Sequence, residues 1–178
     1  MRIISGMYKS RRFEIPKNFK ARPTTDFAKE NLFNVIGNLI DLEETIALDL
    51  FAGTGSIGFE LLSRGCCEVV CVEKDAVHYA FIKKIRDELK TAQLSALRAD
   101  AMKYIASTDR TFDFIFADPP YVFKELPQIP EIILSRRLLN PNGIFVMEHP
   151  KEYDFSHLPG FSQHRVYGAV NFSIFVQE

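Results

Sequence analysis

No run of eighteen apolar residues occurs in this chain, so no segment has the length and character of a membrane-spanning helix. The N-terminus lacks the charged-then-apolar layout of a secretory leader, which leaves the cytoplasm as the expected compartment. Cysteine is scarce. Cys66, Cys67 and Cys71 do not have zinc spacing, and adjacent cysteines rarely bridge each other, so they read as free thiols near a buried strand. No metal ligand set is evident, and the four histidines are scattered. His149, before Pro150, reads as a structural or loop residue although it could face a cleft. Internal repeats, low-complexity tracts and interdomain linkers are missing too, and 178 residues suit one domain with a real core. An apolar content of 47% argues against disorder.

Net charge is also nearly lacking, at −1, which at first speaks against a nucleic-acid partner. Its distribution says otherwise. Residues 1–29 hold eight Lys or Arg (Arg2, Lys9, Arg11, Arg12, Lys17, Lys20, Arg22 and Lys29) against Glu14 and Asp26, giving +6 there and −7 in the remainder. Such asymmetry suggests a basic, phosphate-facing extension on an acidic body, with a merely solvated face as the bland alternative.

The densest local signal is Leu48-Asp49-Leu50-Phe51-Ala52-Gly53-Thr54-Gly55-Ser56-Ile57-Gly58. Thr45 to Phe51 is a short apolar run of the kind that forms a strand covered on both faces. Glycines follow, and then Ile57, Phe59, Leu61 and Leu62 open a helix that Gly65 would end. Strand, glycine turn and helix begin a nucleotide-binding α/β unit, in which missing side chains let a ligand approach the backbone. Gly53, Gly55 and Gly58 also satisfy the dinucleotide pattern G-x-G-x-x-G. Asp49, however, sits inside the strand. An anion there suits a ligand carrying an ammonium and a sulfonium better than a pyrophosphate, which favours S-adenosylmethionine over a nicotinamide dinucleotide.

Glu68 to Val72 reads as a second buried strand with Glu73 at its carboxyl end. An acid about twenty residues past the first glycine can accept hydrogen bonds from ribose hydroxyls. A third run, Leu94 to Ala99, ends at Asp100-Ala101, where a carboxylate could accept from an adenine amino group while the Ala101 N–H donates to the ring.

The chemistry resides in Asp118-Pro119-Pro120-Tyr121, which closes the apolar run Phe112 to Ala117. An exocyclic amine on a nucleobase is a poor nucleophile because its lone pair is delocalised into the ring. Asp118 and the Pro119 carbonyl are natural acceptors for the amine hydrogens, favouring a pyramidal nitrogen, and the paired prolines stiffen that backbone. Tyr121 offers a flat face for an extruded base. The bland alternative is a proline-rich turn after a strand.

Together these segments are similar to the amino-directed nucleic-acid methyltransferases with a D/N-P-P-Y/F signature. Arg2-Ile3-Ile4-Ser5-Gly6, Arg11-Arg12, Arg22-Pro23-Thr24-Thr25-Asp26 and Glu30-Asn31-Leu32-Phe33-Asn34 further resemble the start of the bacterial 16S rRNA guanine-N2 methyltransferase family of the RsmD type. Leu138-Leu139-Asn140-Pro141-Asn142-Gly143 before a fifth strand fits the wider methyltransferase pattern. The resemblance implies a Rossmann-like α/β fold with a seven-stranded, mostly parallel sheet, a C-terminal antiparallel hairpin and S-adenosylmethionine as cofactor. It assigns Asp49, Phe51, Gly53, Gly55, Glu73, Asp100, Ala101 and Asp118 to the cofactor, and Asp118 through Tyr121 to the target base. Arg2, Lys9, Arg11, Arg12 and Arg22 are the candidate RNA contacts. The implied partner is 16S rRNA or an assembling small ribosomal subunit, with a monomer as the expected state. Competing readings are an adenine-N6 methyltransferase on DNA or RNA and a non-catalytic RNA-binding assembly protein; a nicotinamide dehydrogenase lacks an evident proton donor.

Along the chain, residues 1–25 form a basic extension and 26–178 the catalytic core. Residues 2–16 predict a hairpin with Ile3, Met7, Phe13 and Ile15 inward. A helix is expected from Asp26 to Leu39, capped by Thr25 or Asp26, with Ala28, Leu32, Val35, Ile36 and Leu39 on one face. Another near Ala76–Leu89 places Val77, Phe81, Ile85 and Leu89 in the core. Strand five is expected over Gly143–Glu148, with two final strands around Phe161–Tyr167 and Ala169–Val176.

Overall fold

A computed structural model describes residues 1–20 and 24–178. The strands are β1 (Ile46–Leu50), β2 (Glu68–Glu73), β3 (Leu94–Arg98), β4 (Phe112–Ala117), β5 (Leu139–His149), β6 (Phe161–Tyr167) and β7 (Val170–Val176). They form one seven-stranded sheet in the order β3-β2-β1-β4-β5-β7-β6. The pairings among β1 to β5 are parallel, and β7 pairs antiparallel with both β5 and β6. The expected fold class and its C-terminal hairpin are therefore present. Strand five is longer than the apolar run implied, because Leu139 pairs with Phe112 ahead of a register shift.

The helices are α1 (Asp26–Ile36), α2 (Ser56–Ser63), α3 (Ala76–Leu89), α4 (Ala101–Ser107) and α5 (Gln128–Ser135). Side-chain alternation along β1 explains the layering. Ala47 belongs to the core packed against α1, α2 and α3, whereas Leu48 and Leu50 belong to the core packed against α4 and α5. Helices on both faces cover the sheet, so its central strands read as continuous apolar runs. Fully buried Phe114, Phe116, Phe145 and Phe172 anchor these layers, each contributing about 1.5–3 kcal/mol through its burial.

Helix α1 starts as expected, with the Thr25 hydroxyl accepting from Ala28 N–H at 3.2 Å, but it stops at Ile36 with Gly37 as its C-cap. Leu39 consequently lies beyond it and is 39% exposed. In α3, Phe81, Ile82, Ile85 and Leu89 are buried, while Val77 is exposed in the first turn.

The N-terminal hairpin is short, with one antiparallel bridge between Arg2 and Arg12 and a backbone bond from Phe13 N–H to the Met1 carbonyl at 2.9 Å. Ile3 N–H still bonds across to the Arg11 carbonyl at 3.0 Å, but Ile4, Ser5, Met7 and Tyr8 bond through their backbone to α2 instead. Glu60 accepts from Ile4 N–H at 2.8 Å and from Ser5 N–H at 3.0 Å, and the Ser63 carbonyl accepts from Met7 N–H at 2.7 Å. Gly6, at φ +84°, makes this docking possible, since a Cβ there would lie 1.7 Å from the Ser63 carbonyl oxygen. The turn throws Met7 outward, where it is exposed, while Ile3 and Phe13 are buried as expected. Beneath the arm, Lys29 is buried; its Nζ donates to the Arg2 carbonyl at 2.5 Å and Ser56 Oγ at 3.0 Å and lies 3.6 Å from Glu60 Oε2. Glu60 also accepts from Arg64 Nε at 2.8 Å.

Candidate active site

A cleft of about 1190 Å³ opens at the carboxyl ends of the parallel strands, where β1 separates β2 from β4. Open α/β sheets bind ligands at such a switch point. Its walls include Asp49, Phe51, Gly53, Glu73, Asp100, Ala101, and Asp118 through Tyr121. Residues separated by seventy positions thus share one cavity. Gly55 is buried as the left-handed N-cap of α2, at φ +74°, and shapes the turn from behind.

Asp49 is 2% exposed, and its Oδ2 accepts from Gly58 N–H at 2.9 Å. Burial pushes its carboxyl up to about 7, the Gly58 N–H lowers it and Glu73 adds to the rise. Gly58 must be glycine, because a Cβ would lie 2.4 Å from Cys71 Sγ on β2. Phe51, just past β1, holds φ +59°, an uncommon conformation for an aromatic residue. Its ring meets Phe123 edge-on at 5.4 Å, closing one side of the cleft.

Glu73 fastens the glycine turn to β2. Its Oε2 accepts from Gly53 N–H at 2.7 Å and its Oε1 from Asp75 N–H at 2.8 Å. Each carboxylate oxygen has a second lone pair, so the side chain can serve the turn and a ribose together. Beside it, buried His78 stacks on Phe19 at 4.2 Å and its Nε2 accepts from Lys20 N–H at 3.4 Å. Asp100 caps α4 by accepting from Lys103 N–H at 3.1 Å and pairs with Lys74 Nζ at 3.0 Å. The Lys74 hydrogen bond leads in holding its carboxyl below the usual range.

The register Ala117 with Met147 brings the ends of β4 and β5 together, so Asp118 and Glu148 are neighbours. Burial, then Glu148, then Asp49 push the Asp118 carboxyl well above its usual range. Burial likewise lifts Glu148 to about 7, opposed by a hydrogen bond from Tyr121, whose hydroxyl donates to Glu148 Oε1 at 3.1 Å. Tyr121 leaves 46% of its surface exposed at the cleft mouth, and its own acidity is weakened by burial and Glu148. Glu148, Phe123 and His78 line the cleft without having been singled out from the sequence. Only Glu148 carried a usable signal, an acid closing an apolar strand.

His149, by contrast, is buried away from the cleft, with Nε2 2.8 Å from Ser173 Oγ and Nδ1 2.8 Å from the Pro150 carbonyl. Cys66, Cys67 and Cys71 are free thiols. Among the described residues no cluster of three or more His, Cys, Asp or Glu could hold a metal, and no helix is long and apolar enough to cross a membrane.

Of the basic candidates, Lys9, Arg11 and Arg12 are exposed, whereas Arg2 is ion-paired with Asp26 at 2.9 Å. Arg11 lies 3.5 Å from Glu88 and over the Phe13 ring. Arg2 and Arg12 border a second depression that shares Thr24, Thr25 and Ser56 with the main cleft. Arg22 lies outside the described residues.

This sheet order, with acids in β1 and at the end of β2 and an Asp-Pro-Pro-Tyr turn after β4, is the fold of the methyltransferase class. Within it, the chain belongs to the family described as Conserved hypothetical protein 95, which matches residues 1–176. The ribosomal RNA small subunit methyltransferase D of Escherichia coli K12 is 30% identical over 182 residues, covering 100% of this chain and 90% of that protein. A hypothetical protein of Thermus thermophilus superposes with a TM-score of 0.84 at 25% identity, covering 98% of each chain. The fold alone is shared with a 16S rRNA N2 G methyltransferase of the same organism solved with AdoMet and guanosine, at a TM-score of 0.70 and 20% identity over 90% of this chain and 45% of that one. The RsmD resemblance in the sequence is borne out.

Proposed function

We propose that this protein methylates the exocyclic N2 amine of a guanine in 16S rRNA, acting on the RNA or on an assembling small subunit in the cytoplasm. The observation that carries the reading is the sharing of one cleft by Asp49 and Glu73 on one side and Asp118 to Tyr121 on the other. The chemistry of the donors fits the cofactor: buried Asp49 gains from a cationic ammonium, and Glu73 retains lone pairs for a ribose. Asp49, Phe51, Gly53, Glu73, Asp100, Ala101 and Asp118 are the residues that would hold it, with Gly55 shaping the turn behind them. When bound, S-adenosylmethionine supplies a sulfonium-activated methyl group.

The chain's own part is positioning and charge. Asp118 and the Pro119 carbonyl accept the amine hydrogens of the flipped base, which frees the nitrogen lone pair. The same hydrogens relieve the cost of an ionised Asp118 in a buried site. Once the methyl is on N2, the surplus proton passes to this unusually basic carboxylate. Tyr121 supports the base by stacking. Arg11, Arg12 and Lys9, with Arg2 and Arg22, would meet RNA phosphates beyond the cleft.

The test is to incubate the protein with 16S rRNA and tritiated S-adenosylmethionine, then digest and identify the labelled nucleoside. N2-methylguanosine at one position is expected; label on another nucleoside, or none with both free RNA and immature subunits, refutes the reading.

A further inference from the structure

Glu148 holds neither the cofactor nor the amine, yet it forms part of the cleft wall beside Asp118. It is 7% exposed, and its two oxygens are unlike. Oε1 accepts from the Tyr121 hydroxyl at 3.1 Å, whereas Oε2 is buried without a hydrogen-bond partner among the described residues. Buried polar atoms are nearly always paired, so an orphan oxygen at a ligand cleft points to a donor that arrives with the ligand. Tyr121 fixes the carboxylate and also flanks the place where the base would stack.

Guanine carries such a donor. Its Watson–Crick edge presents the N2 amine and, next to it, the N1–H. A guanine whose amine is held by Asp118 and the Pro119 carbonyl can turn its N1–H toward the neighbouring strand end, which is β5 and Glu148. An adenine offering its N6 amine to the same acceptors would instead present N1 as a lone pair. Lone pair against carboxylate is repulsive, and the buried oxygen would stay unpaired.

We propose that Glu148 is the specificity-determining residue of this site, accepting the N1–H of guanine and thereby rejecting bases that carry an acceptor at N1. The inference rests on the guanine-N2 reading above and adds to it the group that enforces the choice. A site built to bond a donor discriminates strongly against analogues lacking it, because its own polar group is then stranded.

The test uses two synthetic RNAs identical except at the position the wild-type protein methylates in 16S rRNA, with guanosine in one and 2-aminopurine riboside in the other. Both carry the 2-amine; only guanosine has N1–H. The wild-type protein should prefer guanosine in kcat/KM by roughly tenfold or more, the scale of one good base-edge contact. Glu148→Gln keeps the size and the acceptor for Tyr121 but can donate to a bare N1. It should bring the ratio close to one or invert it, while S-adenosylmethionine affinity by calorimetry stays unchanged. Fluorescence titration of 2-aminopurine riboside in the presence of S-adenosylhomocysteine should show tighter binding to the Gln variant.

Equal use of both RNAs by the wild-type protein overturns the inference without needing any variant. An unchanged ratio in a folded Glu148→Gln protein that still methylates N2 overturns it alone. Methyl found on adenine N6 overturns the guanine reading and this inference with it.

Discussion

The Tyr121 hydroxyl donates a hydrogen bond to Glu148 Oε1 at 3.1 Å, tying the last residue of the Asp-Pro-Pro-Tyr turn to the end of β5. A tyrosine expected to act only through its flat face thus has a second attachment. The bond orients the ring at the cleft mouth and takes one oxygen of a carboxylate that burial lifts to about 7.

Tyr121→Phe keeps the ring and loses that anchor. Single-turnover methylation of 16S rRNA should slow by up to about tenfold, as expected for losing one hydrogen bond worth about 0.5–1.5 kcal/mol. Tyr121→Ala should lose roughly 1–3 kcal/mol more, the stacking contribution. A Phe variant as damaged as the Ala variant would mean that the hydroxyl, not the ring, is what the base requires.

Asp118→Ala removes an acceptor that matters most as charge develops on the amine. Its kcat should fall by about 10²–10³ with little change in RNA affinity. Asp118 lies well above its usual range through burial, Glu148 and Asp49, and it must be ionised to take up the surplus proton. The wild-type rate should therefore rise with pH as the Asp118–Glu148 pair loses its proton. The pH–rate profile at saturating substrate checks this; a flat profile would remove Asp118 from the acceptor role.

Much of this site was readable because its chemistry is local in sequence. The glycine turn follows Asp49 directly, and the two prolines follow Asp118, so each cluster declares itself within a dozen residues. Glu148 was not readable as a site residue, because its meaning comes from the β4–β5 register and from a tyrosine far away in the chain. Glu60 illustrates the same limit. A glutamate within an apolar helical run passes for a solvated residue, yet it is fully buried and accepts from Ile4, Ser5 and Arg64. That capture also explains why an alternating segment forms only a short hairpin around one bridge. The N–H groups of Ile4, Ser5, Met7 and Tyr8 are satisfied by a helix, a partner that strand periodicity cannot reveal.

Glu60→Ala should accordingly do more than destabilise α2. It strands buried Lys29, whose ammonium burial already holds below its ordinary range, and frees the Ile4 and Ser5 N–H groups. Removing one partner of a buried ion pair costs about 3–5 kcal/mol, so the urea midpoint should drop accordingly. Limited proteolysis should cut within residues 4–20 before the core opens. Loss of stability with an arm still protected would show that Ser63 and the Arg2–Arg12 bridge hold it unaided.

Arg11 and Arg12 project from that arm, so replacing both with Ala should weaken RNA binding without touching the cofactor. The salt dependence should flatten by at most about one log unit per lost phosphate contact. Arg11 is partly engaged by Glu88 at 3.5 Å, an exposed pair that gives way easily in competition with a phosphate. Filter binding at several salt concentrations decides: identical slopes for wild type and variant would leave these residues a solvated face.

Asp49 links cofactor binding to pH. Burial raises its carboxyl to about 7 in the folded protein, so below that value it is largely neutral. An ammonium bound beside it requires the carboxylate, and affinity for S-adenosylmethionine should fall by up to about tenfold per pH unit below 7, levelling off above. Binding near pH 6.5 should release a proton, seen as a dependence of the calorimetric heat on buffer ionisation enthalpy. Stability without ligand runs the other way. A carboxyl raised on folding contributes stability that is fully present below its unfolded value near 3.8 and is lost as pH rises through about 7. Asp49→Asn keeps an oxygen for the Gly58 N–H and removes the charge. Compared with wild type, it should bind the cofactor more weakly above pH 7, with a flatter pH dependence, and its melting temperature should decline less between about pH 5 and pH 8. If the variant matches the wild-type affinity across that range, the ammonium is held elsewhere and Asp49 serves the glycine turn alone.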